Sequence, residues 1–497
     1  MTRLNAQILQ HPPAGVRVPA YDRAAVTAGI VHLGIGAFHR AHMAAYVDDL
    51  LGRSPNWGIV GASLRRPDTK DALAPQDYLY TLAVRDASGA ACRVIGSIID
   101  VMDANTQRAE LIALMADPEI RIVSLTVTEK GYCHDPATGE LDEKHPDIAH
   151  DLAHRDEPIS APGLIVAALQ RRILAGTPAF TVMSCDNLPS NGHTCGRIVT
   201  RFAELVSPQL AVWVRANVAF PSTMVDRIVP ATTEDDRRLV EKATGFEDAW
   251  PIVTEPFTQW VIEDRFANGR PAFETVGAQL VDDVEPSERM KLRMLNGSHS
   301  TLAYLGYLAG HQYVADAIGD LAIGKLILGL MTEEVIPTLP MPRERLEAYR
   351  DALLARFANP ALKHRTWQIA MDGSQKLPQR LLGTIRDRLA AGEGGPGFTR
   401  LALGVAAWMR YVTGTDEQGQ PIEVKDPMAL RLRGIADAAG GNAARLAAGL
   451  LEVAEIFGTD LPRSAVFTEE VATHLASLFA DGAAKTVAKV VGPLSTD

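Results

Sequence analysis

Short apolar runs alternate with helical stretches through the first 284 residues of this chain. GIVHLGIG and IRIVSLTVT have the composition of buried strands, and GLIVAALQRRILAG has helical spacing with a terminal glycine. Such alternation is typical of a largely parallel sheet with helices on both faces. YLYTLAV and CRVIGSIIDV alternate polar and apolar residues more regularly, which predicts two strands paired as a hairpin.

The pattern changes near residue 285. Strand-like runs almost vanish beyond it, and helical spacing dominates, as in ERMKLRMLNGSHSTLAYLGYLAG and ERLEAYRDALLARFA. A chain of 497 residues is long enough for two domains with separate cores. The sequence therefore predicts an α/β domain over residues 1–284 and an all-α domain over residues 285–497.

The overall charge of the chain limits which kinds of binding partner it can have. Lysine and arginine are outnumbered by acidic residues, for a formal net charge of −11. This balance is unfavourable for a nucleic-acid surface or an anionic membrane, although a local basic pocket for a small anion remains open. The N-terminus has no signal-peptide pattern, and no run approaches twenty uncharged apolar residues. We expect a cytoplasmic protein with a small-molecule partner; the oligomeric state stays open and a monomer is compatible with the sequence.

The cysteines predict neither a disulfide framework nor a metal centre. Four cysteines in so long a chain, none in a C-x-x-C pair, are too few for disulfide scaffolding. Cys185, His193 and Cys195 lie close in sequence, but their spacing fits no zinc pattern and no second ligand pair is nearby. We therefore expect no metal.

A glycine pair follows the first strand in VHLGIGAFHRAH. In a dinucleotide-binding fold the first glycine, here Gly34, permits a tight turn, and the second, Gly36, lets the backbone approach a pyrophosphate at a helix N-terminus. The usual third glycine is His39 here, so the fingerprint is incomplete. Strand and helix context nevertheless favours a Rossmann-type domain. The residues that we expect at the cofactor are Gly34, Ile35, Gly36, Ala37, Phe38 and Arg40, with Arg40 as a charged contact to phosphate.

The residues after the second strand do not decide whether the cofactor carries a 2′-hydroxyl or a 2′-phosphate. An acidic residue commonly follows this strand and accepts hydrogen bonds from the adenosine ribose. GASLRRPD instead offers Arg65 and Arg66, with no acid before Asp68. Arginine at this place can accommodate a 2′-phosphate. Arg65 is thus a further cofactor candidate; we expect NAD, with NADP not excluded.

The stretch KLRMLNGSH places three polar side chains on a mostly apolar helix. On an α-helix, Lys291, Asn296 and His299 fall at about 0°, 140° and 80° around the axis. They therefore share one broad face, with His299 between the other two. One interpretation is a partly solvated face; the other is a catalytic amine flanked by two orienting groups. The position at the predicted domain junction favours the second.

Six motifs occur in order along the chain: GIGAFHRAH, SLTVTEKGY, SCDN, MVDRIVP, KLRMLNGSH and MDGSQKLPQR. Together they resemble the mannitol dehydrogenase family of polyol-specific long-chain dehydrogenases over roughly residues 28 to 490. The resemblance implies a metal-independent, NAD(P)-dependent dehydrogenase of secondary alcohols, with a Rossmann-type N-terminal domain and a helical C-terminal domain.

The resemblance also implies roles for single residues. Lys291 would be the base in alcohol oxidation and the acid in carbonyl reduction; burial could bring an amine pKa down to roughly 7–8, where it can exchange protons at neutral pH. Asn187 and Asn296 would donate amide hydrogen bonds to the reacting oxygen. The remaining residues are His299, which would bind or orient substrate hydroxyls, Asp226, which would contact substrate, and Glu288, which would gate proton exit.

Three cationic side chains bear on which class of substrate the chain binds. A uronate or aldonate carries a carboxylate, whereas a hexitol is uncharged, so a site for the former should supply positive charge. Lys130, Lys376 and Arg380 are candidates, and HRTWQIAMDGSQ resembles the fructuronate reductase branch of the family. We therefore expect interconversion of D-fructuronate and D-mannonate. Mannitol 2-dehydrogenation, or oxidation of another hexitol to its 2-ketose, is the alternative, and a cofactor-binding protein without turnover is a third.

Overall fold

The chain folds into two compact units, Met1–Glu285 and Pro286–Asp497. The computed structural model describes residues 2–135, 138–392 and 397–493. The division predicted from the sequence, between residues 284 and 285, lies one residue earlier. Within the described residues, no helix is long and apolar enough to cross a membrane.

A five-stranded parallel sheet organises the first unit. Its strand order is β5-β2-β1-β6-β7, so β1 is central and pairs with β2 on one side and β6 on the other. We call this the main sheet. Its fully parallel pairing confirms the predicted α/β class. The bounds are β1 Ala28–Leu33, β2 Gly58–Ser63, β5 Ile98–Asp103, β6 Ile122–Leu125 and β7 Thr181–Ser184.

Two smaller sheets accompany it, with orders β4-β3-β9 and β11-β10-β8. The hairpin prediction was half right: β3 and β4 pair antiparallel, but CRVIGSIIDV is two strands, because β4 ends at Ile95 and β5 enters the main sheet. The break comes at Gly96 and Ser97, whose polar groups bond to Asp48 and to the Ala44 carbonyl instead of continuing a ladder. The bounds are β3 Tyr80–Asp86, β4 Gly89–Ile95, β8 Thr223–Asp226, β9 Ile252–Thr254, β10 Gln259–Glu263 and β11 Gln279–Val281.

The helices of the first unit cover both faces of the main sheet. Side chains along a strand alternate between faces: on β1, Ile30 packs into one apolar core and Val31 and Leu33 into the other. Burying each such side chain stabilises the fold by about 1.5–3 kcal/mol. The bounds are α1 Ala37–Ala41, α2 Met43–Leu50, α3 Asp68–Leu73, α4 Arg108–Ala116, α5 Pro146–Ala153, α6 Ala161–Ala175, α7 Asn191–Val206, α8 Pro208–Asn217 and α9 Glu234–Thr244.

The second unit is helical over its described residues, as predicted. Helix α11 is almost entirely buried and packs against α15 and α18, while the long α22 packs on α18. Three segments, 291–296, 330–335 and 378–382, are π-helical. The α-helical bounds are α10 Glu285–Met290, α11 Gly297–Leu308, α12 Val314–Gly319, α13 Leu321–Gly329, α14 Arg343–Phe357, α15 Thr366–Ala370, α16 Gly373–Leu377, α17 Gly383–Ala390, α18 Thr399–Tyr411, α19 Ala429–Ala439, α20 Ala443–Leu451, α21 Ala454–Phe457 and α22 Ala465–Val491.

Candidate active site

The glycine pair forms a tight turn between β1 and α1. Gly34 has φ +87°, and a Cβ added there would overlap the carbonyl oxygen of Thr126 on the neighbouring strand's extension. Only glycine meets both conditions. Gly36 is exposed at the start of α1, and the nearest atom to an added Cβ is the Gly34 oxygen, 3.9 Å away. Its lack of a side chain therefore leaves open space for a ligand, as a nucleotide-binding turn requires.

The other predicted cofactor residues differ in exposure. The Ile35 side chain is buried against Gly61, so only its backbone is available to a ligand, while Ala37 and Phe38 are half-buried. Arg65 is exposed after β2, and Arg66 pairs with Asp68 at 3.5 Å.

Arg40 lies inside the first unit rather than at its surface. It is fully buried, donates to the Trp250 carbonyl at 2.9 Å, and lies over the Trp250 ring. Burial lowers its pKa to about 10, so the guanidinium stays charged at neutral pH. A group that contacts a ligand should have exposed surface when the ligand is absent. The phosphate contact of Arg40 stays a prediction, one that this buried position does not favour.

Two loops follow the neighbouring strands β6 and β7. Lys130 is exposed in the turn Glu129–Tyr132 after β6, and Asn187 is exposed three residues after the end of β7. Parallel strands place their carboxyl ends at one edge of a sheet, so these residues share the edge that carries the glycine turn. Asp226 is buried at the end of β8, in a different sheet.

In the second unit, Lys291 to Asn296 form a π-helical segment, not the α-helix assumed from the sequence. The predicted angles around an α-helix axis are therefore wrong for these residues. Hydrogen bonds of a π-helix join residues five apart, which is the separation of Lys291 and Asn296. Lys291 is 6% exposed and His299 is 7% exposed, whereas Asn296 is half-buried. Glu288 is half-buried in α10, just before this segment.

Arg380 contacts this segment from a second π-helical stretch, 378–382. Its guanidinium donates to the Ser300 hydroxyl at 3.2 Å and to the Asn296 carbonyl at 3.5 Å. The close approach depends on Gly297, because a Cβ added there would lie 2.7 Å from the Arg380 carbonyl oxygen. Two predicted residues that are far apart in sequence, Asn296 and Arg380, are thus adjacent.

Positive charge surrounds His299. Burial lowers the pKa of His299 well below its usual value, and its neighbours His364, Arg356, Arg380 and Lys291 lower it further. His299 is therefore neutral at neutral pH. Its Nε2 is buried without a hydrogen-bond partner among the described residues, which leaves one ring nitrogen available to a bound hydroxyl.

Lys376 extends the same cationic cluster. Its Nζ donates to the carbonyls of Met371 at 2.5 Å and Ile369 at 3.4 Å. Burial lowers the pKa of His364 to about 4, and the charge of Lys376 contributes. We define the cationic cluster as Lys291, Arg356, Lys376 and Arg380, all in the second unit, around His299; His364 lies beside it and is neutral at neutral pH.

Sequence reasoning missed two residues around His299: Arg356, which belongs to the cluster, and the neutral His364 beside it. His364 opens the quoted stretch HRTWQIAMDGSQ, so its neighbourhood was a usable signal. Arg356 lies near the end of α14, where an arginine usually belongs to a solvated helix face. Its burial is decided by tertiary packing that the local sequence does not encode.

One group of side chains has the composition of a metal site within the described part of the chain: Cys133, His145 and Asp147, with ligand atoms within 4.8 Å of one another. His145 Nδ1 already accepts the Asp147 backbone N–H at 3.2 Å at the start of α5. That bond requires the proton on Nε2, so the ring offers no free lone pair in this arrangement. The cysteines weighed from the sequence, Cys185 and Cys195, are buried thiols.

Comparisons with known proteins cover nearly the whole chain. The family models described as mannitol dehydrogenase Rossmann domain and mannitol dehydrogenase C-terminal domain match residues 28–275 and 283–479. An uncharacterized oxidoreductase of Escherichia coli, YdfI, is 50% identical over 96% of this chain and 98% of its own. The D-mannonate oxidoreductase of the same organism is 48% identical over 95% and 97%. The solved mannitol 2-dehydrogenase of Pseudomonas fluorescens, in complex with NAD and D-mannitol, is 42% identical over 99% of both chains, with a TM-score of 0.88.

Proposed function

Since the chain belongs to the mannitol dehydrogenase family, we propose that it interconverts D-fructuronate and D-mannonate with NAD as cofactor. Membership of this family supports the general activity, which is NAD-dependent oxidation of secondary alcohols. The cationic cluster around His299 supports the choice of substrate. A sugar with a carboxylate is stabilised by nearby positive charge, whereas an uncharged hexitol is not.

The first unit supplies a fitting place for the nucleotide. The open space at Gly36 and the tight turn at Gly34 suit a pyrophosphate approached by backbone N–H groups. A nicotinamide cofactor held at this turn would supply reversible hydride transfer with the carbinol carbon of the substrate. Arg65, exposed after β2, is the residue that we propose to face the adenosine 2′ position.

Lys291 is the proposed acid and base. In the oxidative direction its neutral amine takes the hydroxyl proton; in the reductive direction its ammonium gives that proton to the developing alkoxide. The Asn296 amide would donate to the same oxygen, since both side chains belong to one π-helical segment. We propose the same donor function for the Asn187 amide, proton exit past Glu288, and a substrate contact for Asp226.

The substrate proposal follows from the charges near His299. Neutral His299 has a free Nε2 for a sugar hydroxyl. Arg380 is held by Ser300 and by the Asn296 carbonyl, so its guanidinium reaches this site with little loss of rotational freedom. We propose that Arg380 and Lys376 bind the carboxylate, with Arg356 adding positive potential. Lys130 remains a predicted carboxylate contact.

A hexitol substrate is the second candidate. It is favoured by the 42% identity to a mannitol 2-dehydrogenase solved with NAD and D-mannitol. A hexitol would use His299, Lys291 and Asn296 in the same way but would gain nothing from the charge of Arg380 or Lys376.

The test is absorbance of the reduced cofactor with D-fructuronate and D-fructose, each with NADH and NADPH. We expect strong preference for fructuronate. Arg380→Gln should lower kcat/KM for fructuronate about 10- to 100-fold, the worth of a charge-assisted hydrogen bond, and should change any fructose rate much less. The matched control is Arg445→Gln, an exposed arginine on α20. Preference for fructose, with Arg380→Gln harmless, would replace the uronate proposal with the hexitol one.

A second variant tests whether the chain is an enzyme or only a cofactor-binding protein. Lys291→Met should lower the turnover rate by orders of magnitude and leave NADH affinity unchanged, because the amine acts on the substrate proton. Unchanged turnover would remove Lys291 from the mechanism.

A further inference from the structure

The carboxylate of Asp186 joins the ends of two strands of the main sheet. Asp186 lies two residues after β7, directly before Asn187. Its Oδ2 accepts the Val127 backbone N–H at 2.9 Å and the Tyr132 hydroxyl at 2.9 Å, and its Oδ1 accepts the Thr128 N–H at 3.0 Å. One side chain thus accepts hydrogen bonds from two successive backbone groups of the loop after β6.

That loop adopts a conformation that its own residues disfavour. Thr128 has φ +64° and ψ +165°, a region that a β-branched residue rarely enters. The Val127 and Thr128 N–H groups, which donate to Asp186, hold the backbone on the N-terminal side of this residue. Glu129 and Lys130 follow Thr128 directly and are exposed, so their positions depend on this backbone.

The same loop is tied to the glycine turn. The Thr126 hydroxyl donates to the Gly34 carbonyl at 2.8 Å, and the Thr126 N–H donates to the Leu33 carbonyl at 3.0 Å. Gly34 in turn has no room for a Cβ because of the Thr126 carbonyl. A continuous set of contacts therefore runs from the glycine turn through Thr126 and the Val127–Thr128 backbone to Asp186.

We infer that Asp186 is a positioning residue of the reaction, which holds the Asn187 amide and the Lys130 loop in fixed relation to the glycine turn. The inference rests on the proposed function, since it assigns Asn187 a hydrogen bond to substrate. The carboxylate itself touches backbone and a tyrosine, so it acts through its neighbours. An asparagine amide at this position could not accept all three bonds, because it has one acceptor oxygen and its NH2 group only donates.

Protonation should loosen the same contacts. Burial raises the pKa of Asp186 to about 6, despite the hydrogen bonds from Val127, Tyr132 and Thr128 that lower it. The titratable groups around it are Glu129 and Tyr132 from the turn, Cys185 next to it, and Cys195 from α7. We expect Asp186 to titrate near pH 6. Below that pH one oxygen carries a proton and stops accepting.

The test compares Asp186→Asn with a matched control, Asp151→Asn. Asp151, in α5, also accepts two successive backbone N–H groups, those of Ile159 and Ser160 at 2.8 and 2.9 Å, and among the hydrogen bonds of the described residues it makes none with Val127 or Thr128. For Asp186→Asn we expect kcat for the preferred sugar to fall about tenfold or more, since small misplacements of a catalytic group are costly. The sugar KM and the NADH affinity should change less than about threefold, and the decline of kcat below pH 6 should disappear.

A readout independent of activity accompanies the kinetics. Trypsin should cleave after Lys130 several times faster in Asp186→Asn than in the wild type, and Asp151→Asn should leave this cleavage unchanged. Tyr132→Phe removes one of the three bonds without touching the backbone contacts, and should give a smaller effect of the same kind, which keeps the test valid if Asp186→Asn folds poorly.

The outcomes separate the two proposals. A wild-type protein that turns over neither sugar overturns the proposed function and this inference together. A wild-type protein that is active and loses activity in Lys291→Met, with kcat and Lys130 cleavage unchanged in Asp186→Asn, overturns only the positioning role. Equal losses of kcat in Asp186→Asn and Asp151→Asn would reduce Asp186 to a general contribution to folding.

Discussion

The imidazole of His39 stacks on the imidazole of His32, with ring centroids 3.4 Å apart and an interplanar angle of 18°. His39 occupies the position of the third glycine in a dinucleotide-binding fingerprint, where glycine usually lets the helix approach the first strand closely. His32 belongs to that strand, and Ser124 and Thr126 bond to its two ring nitrogens at 2.8 Å. A flat ring pair thus replaces the bare backbone contact between α1 and β1.

This ring pair predicts acid-sensitive stability. Burial lowers the pKa of His32 to about 3 and that of His39 well below its usual value, so the unfolded chain binds more protons than the native one once the pH falls below about 6.5. The free energy of unfolding should therefore decrease as the pH falls, by about 1.5 kcal/mol for His32 between pH 6.5 and pH 5 and by a further amount for His39.

The variant that isolates the effect is His39→Phe, which keeps a ring over His32 and removes one titrating group. Its free energy of unfolding, measured in urea, should decline less between pH 7 and pH 5 than that of the wild type. His11→Gln, at an exposed histidine, should follow the wild-type slope. Equal slopes for all three proteins would contradict the assignment.

Replacing the two glycines of the turn by alanine should have different effects on stability and on cofactor binding. Gly34→Ala places a Cβ against the Thr126 carbonyl at φ +87°, and should cost about 2–4 kcal/mol of stability. Gly36→Ala has a permitted φ of −97° and no atom within 3.9 Å, so stability should change by less than about 0.5 kcal/mol. If the open space holds the cofactor, NADH affinity should nevertheless fall. Thermal unfolding and NADH fluorescence titration separate the two effects; a Gly36→Ala protein with wild-type affinity would remove the cofactor from this turn.

The sequence predicts the large elements of this fold because hydrophobic periodicity is a local property. The strands around β1 and the buried helix α11 each have a recognisable apolar pattern. Strands β9 and β11, with three residues each, are too short for a pattern to emerge. CRVIGSIIDV is continuous as a pattern but is divided at Gly96 and Ser97 by contacts from α2.

The candidate site was predictable only in part. Lys291, Asn296 and His299 could be singled out as a polar group on an apolar helix, and the resemblance to a family gave them expected roles. Their π-helical register could not be derived, because it is set by packing against segments far along the chain, such as Arg380. Asp186 stood in a quoted motif, but its three hydrogen-bond partners lie more than fifty residues away.

The contact between the π-helical segments 291–296 and 378–382 gives a prediction about substrate use. Gly297→Ala introduces a Cβ 2.7 Å from the Arg380 carbonyl oxygen, so the segment 378–382 must move away from Asn296. We expect kcat/KM for the sugar to fall about tenfold, with NADH affinity unchanged because the glycine turn belongs to the other unit. Gly383→Ala is the matched control, since its added Cβ meets nothing closer than 3.6 Å. Equal sugar kinetics in the two variants would show that the approach of Arg380 is not needed.

The arginines after β2 give a prediction about the cofactor. Arg65 is exposed, whereas Arg66 is engaged by Asp68 at 3.5 Å. A guanidinium gains a charge-assisted hydrogen bond from a 2′-phosphate but little from a ribose hydroxyl. Arg65→Ser should therefore lower kcat/KM with NADPH about tenfold or more and change the value with NADH less than about threefold. Arg53→Ser, at an exposed arginine following α2, serves as the charge-matched control. A loss with NADH as large as that with NADPH would mean that Arg65 supports the loop after β2 and does not read the 2′ group.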